Sequence, residues 1–167
     1  MIKKFSWLPV LFLILTISVR AEDVRMKDVF CLMPDSLFPT LSANNRLDMI
    51  DFMDSQMKAE VTNLLGGKSE MTALSDDSLT IRMSDALTVQ MLLLKPQEMI
   101  DSCSQVVCLL QIFGTDSLNL DTKIDFYTPQ WQKLDERPQL SESDAHRVSA
   151  LDTKTILNFM DAILKKD

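Results

Sequence analysis

The chain predicts an α+β fold: two layers, with an antiparallel β meander of about four to six strands packed against an N-terminal and a C-terminal helix. Three observations predict it. Apolar residues recur at helical spacing through 50–64, and apolar and polar residues alternate through 79–93 and 118–126. Between those strand-like runs, 106–113 is β-branched and apolar on both faces, the pattern of a strand covered on two sides.

The first segment, 1–21, lies outside that fold. Lys3 and Lys4 precede an apolar run from Phe5 to Val19, and Val19-Arg20-Ala21 places small or short residues where a signal peptidase reads. The run is shorter than the roughly 20 apolar residues that cross a bilayer. Arg20, Glu22, Asp23 and Arg25 follow it directly. A cleaved secretory signal is therefore expected, with cleavage after Ala21 and a periplasmic or secreted product. A lipid anchor is not expected, since Cys31 follows Asp28-Val29-Phe30 rather than small residues. Cleavage leaves residues 22–167 as a single globular domain with no second apolar run of membrane length, so no stable membrane insertion is expected.

Residues 22–43 carry Val29, Phe30, Leu32, Leu37, Phe38 and Leu41 with Pro34 and Pro39 between them, which predicts an irregular lead-in packed on the body. Asn44 and Asn45 offer helix N-caps, and Asp48 and Asp51 suit the positive end of the dipole. Ile50, Met53, Met57, Val61 and Leu64 then predict one helical face, stopped by Gly66-Gly67. Leu79, Ile81 and Met83 alternate with polar residues, as do Leu87, Val89, Met91 and Leu93, giving a hairpin about Ser84-Asp85-Ala86. Pro96 closes the second strand, and Met99-Ile100-Asp101 is a short connector with room for one helical turn. Val106–Phe113 reads as a central strand. After a turn at 114–117, Leu118, Leu120, Thr122, Ile124 and Phe126 alternate with polar residues in the clearest strand of the chain. Lys133–Arg147 reads as a long surface loop. A last helix is expected after Asp152, with Ile156, Phe159, Met160 and Ile163 buried and Lys165 and Lys166 at its negative end.

Charge excludes one class of partner. The leader removes Lys3, Lys4 and Arg20 and no acids, so 14 basic residues face 24 acidic ones and the net charge falls from −7 to −10. Such a chain repels nucleic acid and anionic headgroups, and no nucleic-acid partner is expected. The three cysteines, Cys31, Cys103 and Cys108, force at least one free thiol or an intermolecular bond in an oxidising compartment. On one extended strand, Cys103 and Cys108 would stand about 16 Å apart, so a bond between them needs a turn around Ser104 and Gln105. The alternative is that the cysteines serve as buried small hydrophobes.

No catalytic motif stands out. His146 is the only histidine, the three glycines form no G-x-S-x-G elbow, and the cysteines lack zinc spacing. Met49, Met53 and Met57 recur every four residues, a pattern that suits either Cu(I) carriage through thioethers or core filling. Asp116, Asp121 and Asp125, with His146 assisting, are the candidate acid–base groups of a hydrolase. Tyr127 and Trp131 cluster at a strand end and either plug the core or present a recognition surface. The favoured expectation is a non-enzymatic binding or accessory module of the cell envelope without cofactor. Its surface would comprise Tyr127, Trp131 and His146 with the 133–147 loop, and its partner would be an envelope protein or cell-surface component. The hydrolase and the copper carrier are the alternatives.

Several segments carry a family likeness. They are Phe38-Pro39-Thr40-Leu41, the run from Asn44 to Phe52, Asn63-Leu64-Leu65-Gly66-Gly67, Gln90–Leu94, Asp116-Ser117 and Phe126–Trp131. In these the chain resembles a Bacteroidales-restricted family of exported proteins known as domain of unknown function 3256. The resemblance implies an envelope location and a single domain, and it carries no catalytic residue to transfer.

Overall fold

Alternation of apolar and polar side chains builds a six-stranded antiparallel sheet whose spatial order equals its chain order. The computed structural model describes residues 23–115 and 120–150. The expected leader, the turn residues 116–119 with Asp116, and the Asp152-capped helix lie outside the described residues. The elements are helices α1 (Met26–Cys31) and α2 (Ala43–Asp54), then strands β1 (Ala59–Thr62), β2 (Lys68–Leu74), β3 (Ser78–Ser84), β4 (Leu87–Leu94), β5 (Val106–Phe113) and β6 (Asp121–Tyr127). A further helix, α3, occupies 142–150. The fold is α+β. Among the described residues no helix is long and apolar enough to cross a membrane.

The lead-in is more regular than expected. Met26, Val29 and Phe30 recur at helical spacing ahead of Pro34, and all three are buried. The prolines limit that helix to six residues without preventing it. Arg46, one turn into α2, then ties down the loop between the helices. Its guanidinium is buried and donates to the carbonyls of Met33 (2.6 Å) and Leu41 (2.9 Å) and to Asp35 (2.8 Å).

Helix α2 corrects the expected span at both ends. Ser42, not Asn44 or Asn45, is its N-cap, and Asn45 closes a reciprocal capping box with Ser42. It stops at Asp54, where the Met57 and Gln56 amides donate back to the Phe52 and Met53 carbonyls and Gln56 takes a φ of 56°. That is a Schellman closure without glycine. Met57, Val61 and Leu64 therefore leave the helix. Ala59 and Val61 point inward while Glu60 and Thr62 alternate with them, and this period of two prevails because it pairs with β2 from Lys68 to Met71. Gly66-Gly67 serves the β1–β2 turn, with Gly66 at a φ of 82°.

The expected β3–β4 hairpin pairs Ile81 with Val89 and Leu79 with Met91. Strand β5 is buried on both faces between β4 and β6. Met99-Ile100-Asp101 belongs to no helix. Ile100 and Cys103 exchange backbone hydrogen bonds around Asp101 and Ser102, whose φ values of 47° and 65° mark a two-residue type I′ turn. The 133–147 segment is not loop throughout, since it turns helical at 142. Ser141 caps that helix by accepting the Asp144 amide.

Two cores result, one on each sheet face. Helices α1 and α2 cover the first, built on Val89, Met91, Val107 and Leu109. Residues from Leu134 to Val148 cover the second, built on Leu92, Leu94, Cys108 and Phe126. The β2–β3 turn, the end of β4, the start of β5 and the end of β6 share one end of the sheet, where one cleft lies beside 23–25 and 141–147 and another between 96–100 and 134–139.

Candidate functional site

The larger cleft, about 610 Å³, is walled by paired charges. Lys95 follows β4, and its ammonium meets Asp23 at 2.7 Å. That contact raises the Lys95 pKa through the hydrogen bond and charge of Asp23. Asp144 of α3 is buried and uses both carboxylate oxygens. One accepts the Lys95 backbone amide at 2.9 Å and the other meets Arg147 at 3.1 Å. Arg147 reaches on to Asp77 in the β2–β3 turn at 2.6 Å. This network clasps four segments of chain together, and its only buried acid is already doubly bonded.

The second cleft, about 460 Å³, lies between 96–100 and 134–139. Pro96 bridges to Leu140, and the Gln97 amide donates to the Gln139 carbonyl, so the two walls are held in register. Its lining is mixed: Met99, Ile100, Leu134 and Pro138 are apolar, and Glu98, Asp135 and Glu136 outnumber the one base, Arg137. Arg137 stands over the Phe126 ring at 5.8 Å. Met99 is 71% exposed and precedes the two positive-φ residues of the type I′ turn. Non-glycine residues in that conformation cost free energy, and such strain gathers where function holds it. Sequence reasoning passed over this crevice because its walls are 34 or more residues apart in the chain. Pro96 and Pro138 were the sole local hints.

The sequence-predicted residues are not gathered into one site. Tyr127 and Trp131 are buried in the first core, rings 5.5 Å apart, so they fill the fold and are not presented to a partner. Burial, then the charge of Asp125, pushes the Tyr127 hydroxyl pKa up. His146 is exposed on α3, whose Ala145 and Val148 pack on the opposite sheet face. Asp121 is exposed, and Asp125 is held between Lys123 (2.9 Å) and Lys133 (2.8 Å). Burial works upward on the Asp125 carboxyl, yet the bonds from Lys133 and Lys123 outweigh it and hold its pKa below the usual value. Strand alternation puts both aspartates on the Tyr127 face, away from His146.

The methionine series separates too. Met49 is buried, Met53 is half-buried and Met57 is exposed beyond the helix end. Among the described residues no three His, Cys, Asp or Glu side chains are grouped to hold a metal. All three cysteines are free thiols, Cys108 buried and the other two half-buried.

Against known families, residues 16–167 match the model described as "Protein of unknown function (DUF3256)". The chain belongs to this family. The DUF3256 chain matches no functionally curated protein. Among solved structures it is similar to one described as a domain of an uncharacterized protein from Porphyromonas gingivalis W83, with a TM-score of 0.54 and 22% identity. The likeness covers 70% of this chain and 59% of that one, so the DUF3256 chain spans well under two thirds of its neighbour's length. At that identity the likeness extends to the fold alone.

Proposed function

We propose that the mature chain is an exported, non-enzymatic accessory module of the cell envelope that holds a protein partner in the crevice between 96–100 and 134–139. The observation that carries this reading is Met99, a large apolar side chain held in solvent before a strained turn, in a crevice lined by Ile100, Leu134 and Pro138 together with the acids Glu98, Asp135 and Glu136. Exposed apolar surface rimmed by charge is what a recognition patch offers, and methionine adapts its shape to a partner. The acids select for a partner segment with basic flanks. The leader at 1–21 supports the export part of the reading, because its n-region, apolar run and cleavage residues are those of a secretory signal.

Two measurements test it. N-terminal sequencing of the protein recovered from the cell envelope fraction is expected to begin at Glu22, and an intact Met1 there would sink the export reading. Pull-downs from envelope extracts then compare the wild-type chain with Met99→Lys, a surface change expected to leave the circular dichroism spectrum intact. Loss of the captured partner is expected; identical partners on both would rule out the crevice.

A further inference from the structure

Residues 23–26 are tied into the fold through their backbone. The Val24 amide donates to Gln105 Oε1 at 2.7 Å, across 81 positions of chain, and the Met26 amide donates to the Asp76 carbonyl at 2.7 Å. The side chains follow. Val24 packs against the first core, Met26 is fully buried in it, and Asp23 meets the Lys95 ammonium. Residues 23–25 thus form a strap that walls the larger cleft and leads directly into α1. The Asp23–Lys95 pair stands in solvent and contributes little. Gln105 matters more. Its side chain is buried and its oxygen accepts the Val24 amide, so lifting the strap takes that donor from a buried acceptor.

One bond in this chain needs that same backbone free. The expected scission lies between Ala21 and Glu22, so Asp23 and Val24 are the second and third residues beyond it. A peptidase takes its substrate as an extended strand, paired through backbone groups on both sides of the scissile bond. The Val24 amide cannot serve Gln105 and a peptidase together. Cleavage of the folded chain therefore requires the strap to open first, and its rate falls with the open fraction. We infer that the fold guards its own processing site: the leader is removed before the strap seats on Gln105 and Asp76, and seating closes the site. A chain that folds ahead of cleavage keeps its leader. This rests on the export reading above and adds to it the order of cleavage and folding.

The test uses the full chain, residues 1–167, in detergent micelles with purified signal peptidase. Precursor diluted from denaturant straight into the peptidase is expected to be cut between Ala21 and Glu22. Precursor refolded beforehand should be cut at least about tenfold more slowly. Gln105→Met fills similar volume without the amide oxygen and should restore most of the rate to refolded precursor. Val61→Ala truncates a buried side chain in β1, at the far edge of the sheet, and should leave refolded precursor as slow as wild type. Circular dichroism checks that both variants are folded. Equal rates from denatured and refolded precursor overturn the inference, as does Val61→Ala matching Gln105→Met, since cleavage would then follow unfolding of the whole domain. The export reading fails differently: denatured precursor left uncut at Ala21–Glu22 removes it and takes this inference with it, whereas equal cutting in both states leaves export standing and removes only the strap's role. Hydrogen exchange on the mature chain is independent of any peptidase. The Val24 and Met26 amides should be protected, and exchange of both at the unfolded-chain rate overturns the inference.

Discussion

The Trp131 indole nitrogen donates to the Val29 carbonyl at 2.8 Å, joining residues 102 positions apart. Helix α1 is so short that the amide that would satisfy Val29, that of Met33, is turned to Phe30 instead. The carbonyl is an orphan of the helix end, and Trp131 supplies its donor from inside the core. To reach it, Trp131 adopts a φ of 66° in the loop after β6. Replacing Trp131 by Phe keeps most of the ring volume and strands that carbonyl, with an expected loss of about 1–3 kcal/mol. Trp131→Ala adds a cavity and should cost about 3–5 kcal/mol. Urea unfolding reads both; a Phe variant as stable as wild type would remove the bond from the account.

Arg46 does the equivalent work for the loop between α1 and α2. Its guanidinium is almost fully buried, and two of its three partners are the backbone carbonyls of Met33 and Leu41. Asp35 balances the charge from a solvent-exposed position. Arg46→Met fills similar volume but leaves the Met33 and Leu41 carbonyls unpaired, so about 2–5 kcal/mol of stability should be lost. Arg46→Lys is expected to recover little, because an ammonium lacks the planar fork that serves both carbonyls. Hydrogen exchange localises the effect: the amides of Leu37 and Leu41 should lose protection before those of β4 and β5.

Strands β3, β4 and β5 were legible because alternation and β-branching are local signals that the sheet obeys directly. Strand β2 was not, since Lys68-Ser69-Glu70-Met71 buries a serine in place of an apolar residue. The long expected helix arose from an accident of spacing, in which Met57, Val61 and Leu64 continue the period of Ile50 and Met53 past a stop that contains no glycine. Helix α3 did carry a signal, the Ser141-Glu142-Ser143-Asp144 pattern of a capped N-terminus, and the neighbouring polar residues masked it. The fate of Tyr127 and Trp131 could not be read at all. Composition marks aromatic residues as either anchor or plug, and only the register of β6 against α1 decides between them. The crevice was hidden for the same reason, its walls meeting only after the sheet forms.

Gln56 and Ser102, like Asp101 and Trp131, sit in left-handed backbone conformations that glycine would occupy at lower cost. Gln56 closes α2, and Ser102 is the second central residue of the turn after Met99. A non-glycine residue there costs about 1–2 kcal/mol, partly offset by the greater freedom of glycine in the unfolded chain. Gln56→Gly and Ser102→Gly should therefore each stabilise the protein by about 0.5–1 kcal/mol. The sites share no partner, so their effects should add in the double variant. Thermal unfolding midpoints that fall in either single variant would show that the native side chain makes an interaction outweighing its strain.

The three thiols should react in a fixed order. Cys108 lies in β5 within the second core, where burial pushes its pKa up to about 12. At pH 8 its reactive thiolate is then on the order of one part in ten thousand, before access is considered. Cys31 is half-buried, and burial followed by the nearby Asp28 charge raises its pKa as well. Cys103 stands in the turn at the cleft end of the sheet, half-buried, with its sulfur near Gln130. Iodoacetamide on the native protein should modify Cys103 first, Cys31 more slowly and Cys108 only when denaturant is added, as read by peptide mass analysis. The sign of the pH effect follows from the raised values: moving from pH 7 to pH 9 accelerates Cys31 and leaves Cys108 protected. Labelling of Cys108 in step with Cys103 would mean that β5 opens readily, which its pairing on both edges to β4 and β6 argues against.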